Sequence, residues 1–99
     1  MSIQTTLAGL GIPAAYGRFR SKQPPPFVVY LGDGQENFEA DDTHYASVDN
    51  YQIQYYFKKK NEANEKIIER ALLNDGFLYE KSPDVYIESE DLWVIYYYV

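Results

Sequence analysis

Ninety-nine residues, 15 of them acidic and 9 basic, amount to a single domain carrying a net charge of −6. That balance is opposite to the one a phosphate-backbone binder carries, so nucleic acid is disfavoured as a partner. With no cysteine there are no disulfides or thiolate metal sites, and no apolar run reaches the roughly 18 residues of a membrane span.

Eleven tyrosines, five phenylalanines and one tryptophan join the aliphatic residues as core material, enough to cover one face of a sheet. Ser2-Ile3-Gln4-Thr5-Thr6 is polar where a secretory leader would be apolar, which predicts synthesis in the cytoplasm.

Ile3, Leu7 and Leu10 recur at helical spacing after Ser2, a natural N-cap, and Gly9, Gly11 and Pro13 then stop the helix. A short strand is expected over 14–19. Arg18, Arg20 and Lys22 follow, and then Pro24-Pro25-Pro26, which favours an extended entry into a strand over a ligand for a proline-binding domain. Phe27-Val28-Val29-Tyr30-Leu31 is apolar at every position, as a strand covered on both faces would be.

Gly32-Asp33-Gly34 reads as a turn into a long acidic loop over 33–49. That stretch holds Asp33, Glu36, Glu39, Asp41, Asp42 and Asp49 with no lysine or arginine. A connection of this length is expected to be functional, and to order only against a basic surface. Tyr51, Ile53, Tyr55 and Phe57 then alternate with Asn50, Gln52, Gln54 and Lys58, a half-exposed strand.

Lys58-Lys59-Lys60 closes that strand, and Asn61 caps a helix over 61–75 with Glu62 and Glu65 in its first turn. Its apolar stripe is expected to be Ile67, Ile68, Ala71 and Leu72, with Ala63 on the same face and a Glu62–Lys66 pair outside. Two further strands are expected over 77–81 and 85–88. A last one runs through Leu92-Trp93-Val94-Ile95-Tyr96-Tyr97-Tyr98-Val99. The fold class is therefore α+β, a mostly antiparallel sheet packed by two helices.

Groups that could carry chemistry are few. His44 lies among Asp41, Asp42 and Asp49, but no second histidine or ligand spacing accompanies it, so a solvated acidic loop is the preferred reading over a metal site. Gly32-Asp33-Gly34 lacks the Gly-Lys-Ser/Thr of a phosphate loop. Glu88 and Glu90 share a face but read as a solvated edge rather than an acid/base pair. No catalytic residue, cofactor or metal ligand is therefore assigned, and the protein is read as a non-enzyme.

The two basic clusters, Arg18/Arg20/Lys22 and Lys58/Lys59/Lys60, stand apart along the chain from the acids Asp33, Glu36, Glu39, Asp41 and Asp42. Such segregation suits pairing between neighbouring copies, and these residues form the candidate subunit interface. The plain reading of the same cations is a solvated strand end, and a nucleic-acid surface is a further, less favoured alternative.

Pro25-Pro26-Phe27-Val28-Val29-Tyr30-Leu31 before an Asp-rich stretch, and Tyr79-Glu80 with Asp91-Leu92-Trp93-Val94-Ile95-Tyr96-Tyr97, together resemble the tail-terminator, or tail-completion, proteins of long-tailed bacteriophages. The opening Leu7 to Gly17 is similar to small proteins of the head–tail junction cassettes. The resemblance spans nearly the whole chain. It implies a sheet flanked by helices and a hexameric ring that caps the tail tube and docks on the head connector. The partners would be further copies of itself, the tail tube protein and head connector proteins, at the head–tail junction of the virion. The chain is shorter than many terminators, which keeps a head-side connector (adaptor or stopper) of the same cassette as the alternative.

Overall fold

A computed structural model describes residues 2–39 and 45–99; side chains are described outside 36–48. The fold is α+β: a six-stranded, mostly antiparallel sheet with two helices.

Helix α1 (Ile3–Ala8) opens the chain. Ser2 Oγ caps it by accepting from Thr5 N at 3.2 Å, and Ile3 and Leu7 are buried. Leu10 lies beyond the helix and still packs in the core. Strand β1 (Ala14–Tyr16) pairs in parallel with the start of β2 (Phe27–Glu39), Ala14 beside Val28 and Tyr16 beside Tyr30. It is shorter than the 14–19 expected because Gly17, at φ 76°, reverses the chain. Residues 18–26 then run back as a strap, with Phe19 set edge-on to Phe27 at 5.5 Å.

Strand β3 (Tyr45–Phe57) pairs antiparallel with β2 along the length of both. This corrects the long acidic loop expected over 33–49. Residues 33–39 and 45–49 are strand, while 40–44, with Asp41, Asp42 and His44, lie outside the described residues. Gly32-Asp33-Gly34 does not turn the chain around. It absorbs a register shift between Gly32 and Gln35, with Gly34 at φ 82°. Ladder bonds are made by the backbone, so acidic side chains do not forbid them.

Helix α2 (Glu62–Asn74) follows, capped by Asn61, whose Oδ1 accepts from Asn64 N at 3.2 Å. Strands β4 (Glu80–Lys81) and β5 (Val85–Ile87) both pair with β6 (Leu92–Tyr98), which lies beside β3. The spatial order is β1-β2-β3-β6-β4. The expected 77–81 strand is reduced to two residues because Phe77 and Tyr79 pack against the core from irregular backbone.

The core lies on one face of this sheet. Val28, Tyr30, Ile53, Tyr55, Phe57, Ile95 and Tyr97 meet Ile3, Leu7 and Leu10 from the first helical segment and Ile68 and Leu72 from α2. Strand alternation turns Phe27, Val29, Gln52, Gln54, Tyr56 and Tyr96 to the other face, over which the strap passes.

The stripe expected for α2 needs correcting. Ile68 and Leu72 are fully buried and Ala71 partly so, but Ile67 is 43% exposed and Ala63 is exposed. Glu65 and Glu69 face inward instead, at 2% and 7% exposure. The helix is rotated towards its acids because Lys81 and the Tyr97 phenol on the sheet, and Lys60 between β3 and α2, meet them. Lys66 pairs with Glu69 at 3.6 Å rather than with Glu62.

Beyond Gly32 on β2 and Tyr51 on β3, neither strand has another neighbour in the sheet among the described residues. The hairpin continues alone as a two-stranded arm. The molecule accordingly measures 51 × 26 × 26 Å.

Candidate functional site

Two polar constellations stand out, one internal and one on the surface. The internal one joins α2 to the sheet. Lys81 Nζ, on β4, lies 2.9 Å from Glu65 Oε1 and 2.8 Å from Glu69 Oε2. Tyr97 Oη, fully buried on β6, donates to the same Glu69 oxygen at 2.9 Å. Lys60 Nζ sits 2.8 Å from Glu65 Oε2 and 3.1 Å from Asp84. That Glu65 oxygen has no directional hydrogen bond, but the lysine beside it leaves it paired by charge.

These contacts perturb the groups involved. Burial by itself would raise the Glu69 carboxyl, but the hydrogen bonds from Lys81 and Tyr97 outweigh it and hold the group below the usual carboxylate range. Burial opposes charge on Lys81, yet its bonds to Glu69 and Glu65 raise it above an ordinary lysine. The Tyr97 phenol is pushed up by burial first and by its bond to Glu69 second. The ammonium groups already occupy the carboxylates, so the cluster is a neutralised structural joint between helix and sheet.

The surface constellation has two ends. At one, the strap and the open face of the sheet enclose a groove of about 600 Å³ lined by Arg18, Phe19, Lys22, Phe27, Tyr56 and Glu90, among others. Phe27 and Tyr56 stack at 5.0 Å across β2 and β3 to form its floor. At the other end is the arm, where the backbone of Glu36 and Glu39 lies in β2 and Asp33 and Asp49 are exposed. Asp49 accepts from Gln35 Nε2 at 2.7 Å across the two strands.

The candidate interface residues therefore divide. Arg18, Arg20 and Lys22 sit together on the strap, exposed, and make no ion pair among the described residues. Asp33, Glu36 and Glu39 are placed on the arm, and Asp41 and Asp42 lie outside the described residues. The 58–60 cluster is largely engaged within the molecule. Lys58 pairs with Asp91 at 2.7 Å and Lys60 with Glu65 and Asp84, leaving Lys59 exposed. Among the described residues no group of three or more potential metal ligands converges.

Sequence reasoning did not find Glu65, Glu69, Lys81 and Tyr97. The four-residue spacing of the two glutamates beside Ile68 and Leu72 was the available signal, since it places acids next to the apolar stripe. No family model matches this chain, and no curated protein matches it.

Proposed function

We propose that this protein is a non-enzymatic assembly subunit of the head–tail junction of a long-tailed phage, completing the tail tube and joining it to the head as a ring of identical copies. One observation carries the assembly part: cations free of ion pairs among the described residues lie on the strap beside the first half of β2, while the second half of β2 continues away from it as an acidic two-stranded arm. Complementary charges on separate surfaces of one chain suit association of copies and steer their encounter. The α+β sheet with its helices agrees with the architecture the resemblance implies, and the resemblance provides the phage setting.

The internal ion network favours the non-enzymatic reading, because its carboxylates are already paired with lysine rather than poised for proton transfer. Deleting the gene from the phage that carries it tests the role. The expected phenotype is filled heads beside separate tails of uncontrolled length. Normal tails with leaking or unjoined heads would assign the chain to the head-side connector instead, and wild-type particles would refute both roles.

A further inference from the structure

We propose that the groove beneath the strap is the acceptor for the hairpin arm of a second copy of this chain. The inference rests on the assembly reading above and names the contact that reading needs. Arg18 and Lys22 line the groove beside an aromatic floor of Phe27 and Tyr56, with Glu90 the acid on its wall. The stretch 33–49 contains six acids and no lysine or arginine. Carboxylate–guanidinium contacts are the strong class of hydrogen bond, and the stacked rings offer apolar area to the aliphatic parts of an incoming strand.

Geometry decides between a contact within one chain and a contact between two. Phe27 lines the groove and begins β2, whereas the arm is the far part of that same strand. The groove reaches along β2 as far as Gly17, whose N–H bonds Tyr30 O at 2.9 Å. From Tyr30 the outer part of the arm, Glu36 to Glu39, lies six to nine residue steps on, roughly 20–30 Å at about 3.3 Å each. A paired strand does not fold back on itself, so this outer part does not reach its own groove. The donor and acceptor surfaces are also different patches, which makes the contact head-to-tail. Repeated, such a contact gives a ring where the rotation closes and a filament where it does not. The 58–60 cluster is the weaker acceptor, since Lys58 and Lys60 already hold Asp91, Glu65 and Asp84.

The absence of native cysteine makes a crosslinking test clean. Ser21 lines the groove and Gln35 lies exposed on the arm. The double variant Ser21→Cys/Gln35→Cys, oxidised at low ionic strength, is expected to give a ladder of covalent multimers. Gln35 lies five residue steps, roughly 16 Å, beyond Tyr30, where the strap begins, and the strap runs from there towards Phe27 and away from the arm. That exceeds the ~7 Å a disulfide spans between Cα atoms, so each bond must join two copies. An equimolar mixture of the two single variants is expected to give mostly the mixed dimer. Adding Arg18→Glu and Lys22→Glu to the groove partner should lower that yield at least tenfold, and Glu36→Lys with Glu39→Lys on the arm partner should restore it. Like-with-like dimers alone would overturn the groove assignment and leave the assembly reading standing. Monomers in every mixture, at every concentration and salt, would overturn both.

Discussion

Lys81 Nζ on the edge strand β4 lies 2.8 Å from Glu69 Oε2 on α2, so one lysine allows the helix to turn a carboxylate toward the sheet. The same nitrogen meets Glu65 at 2.9 Å. Removing it would leave two inward-facing acids short of a partner, and breaking a buried ion pair from one side costs about 3 kcal/mol. Lys81→Met is therefore expected to lower the urea midpoint by an amount equivalent to about 3 kcal/mol, with the slope of the transition unchanged. Lys81→Arg should lose much less. A Lys81→Met protein as stable as the parent would mean that the network does not hold the helix.

The same joint sets the pH window of stability. Glu69 has its folded pKa lowered, so its contribution is present above the unfolded value of about 4.3 and is lost as pH falls through the folded value. Lys81 and Tyr97 have theirs raised. Their contributions are complete below the unfolded values of about 10 and are lost as pH rises through the folded ones. Stability measured by urea melts is expected to be level between about pH 5 and pH 9 and to fall on both sides. Glu69→Gln should flatten part of the acid limb. An acid limb unchanged in that variant would remove Glu69 from this role.

The rotation of α2 separates two adjacent isoleucines. Ile67 is 43% exposed and Ile68 fully buried. Ile67→Lys is expected to change stability by less than about 0.5 kcal/mol, whereas Ile68→Ala should cost about 3 kcal/mol. Equal losses at the two positions would restore the stripe that sequence periodicity suggested.

The arm makes a prediction about local stability. Two strands without a third neighbour are marginal by themselves, while residues 52–56 are flanked by β2 and β6. Amide exchange in the isolated chain is expected to be slowest over 53–57 and 94–97 and faster by several orders of magnitude over 35–39 and 45–49. Docking of the arm on another copy should slow it. Exchange in the arm that stays fast in assembled particles would count against arm-mediated contact.

How much of this was legible depended on where the deciding partner sits in the chain. The alternation of Tyr51, Ile53, Tyr55 and Phe57 identified its strand because period two is written locally, and Asn61 announced the start of α2 in the same way. The face of α2 was not local. Its rotation is set by Lys81, 12 residues beyond Glu69, and by Tyr97, 28 beyond, and helical spacing alone also permitted Ile67 inward. The arm is not legible for a compositional reason. Six acids read as solvated loop, but ladder hydrogen bonds depend on backbone geometry, and Gly34 supplies a bulge where Gly32-Asp33-Gly34 reads as a reversal. Of the candidate interface, the charges were readable from sequence. Which cations are already engaged by Asp91, Glu65 and Asp84 required the fold.

The central claim is position in a particle, and the most direct measurement is to see the protein there. The proposed role is tested by introducing a tagged copy into a phage whose genome carries the gene, labelling purified virions with gold and imaging them by electron microscopy. The account predicts one focus of label per particle, at the neck between head and tail. Label spread along the tail, label within the head, or purified virions that lack the protein would contradict it.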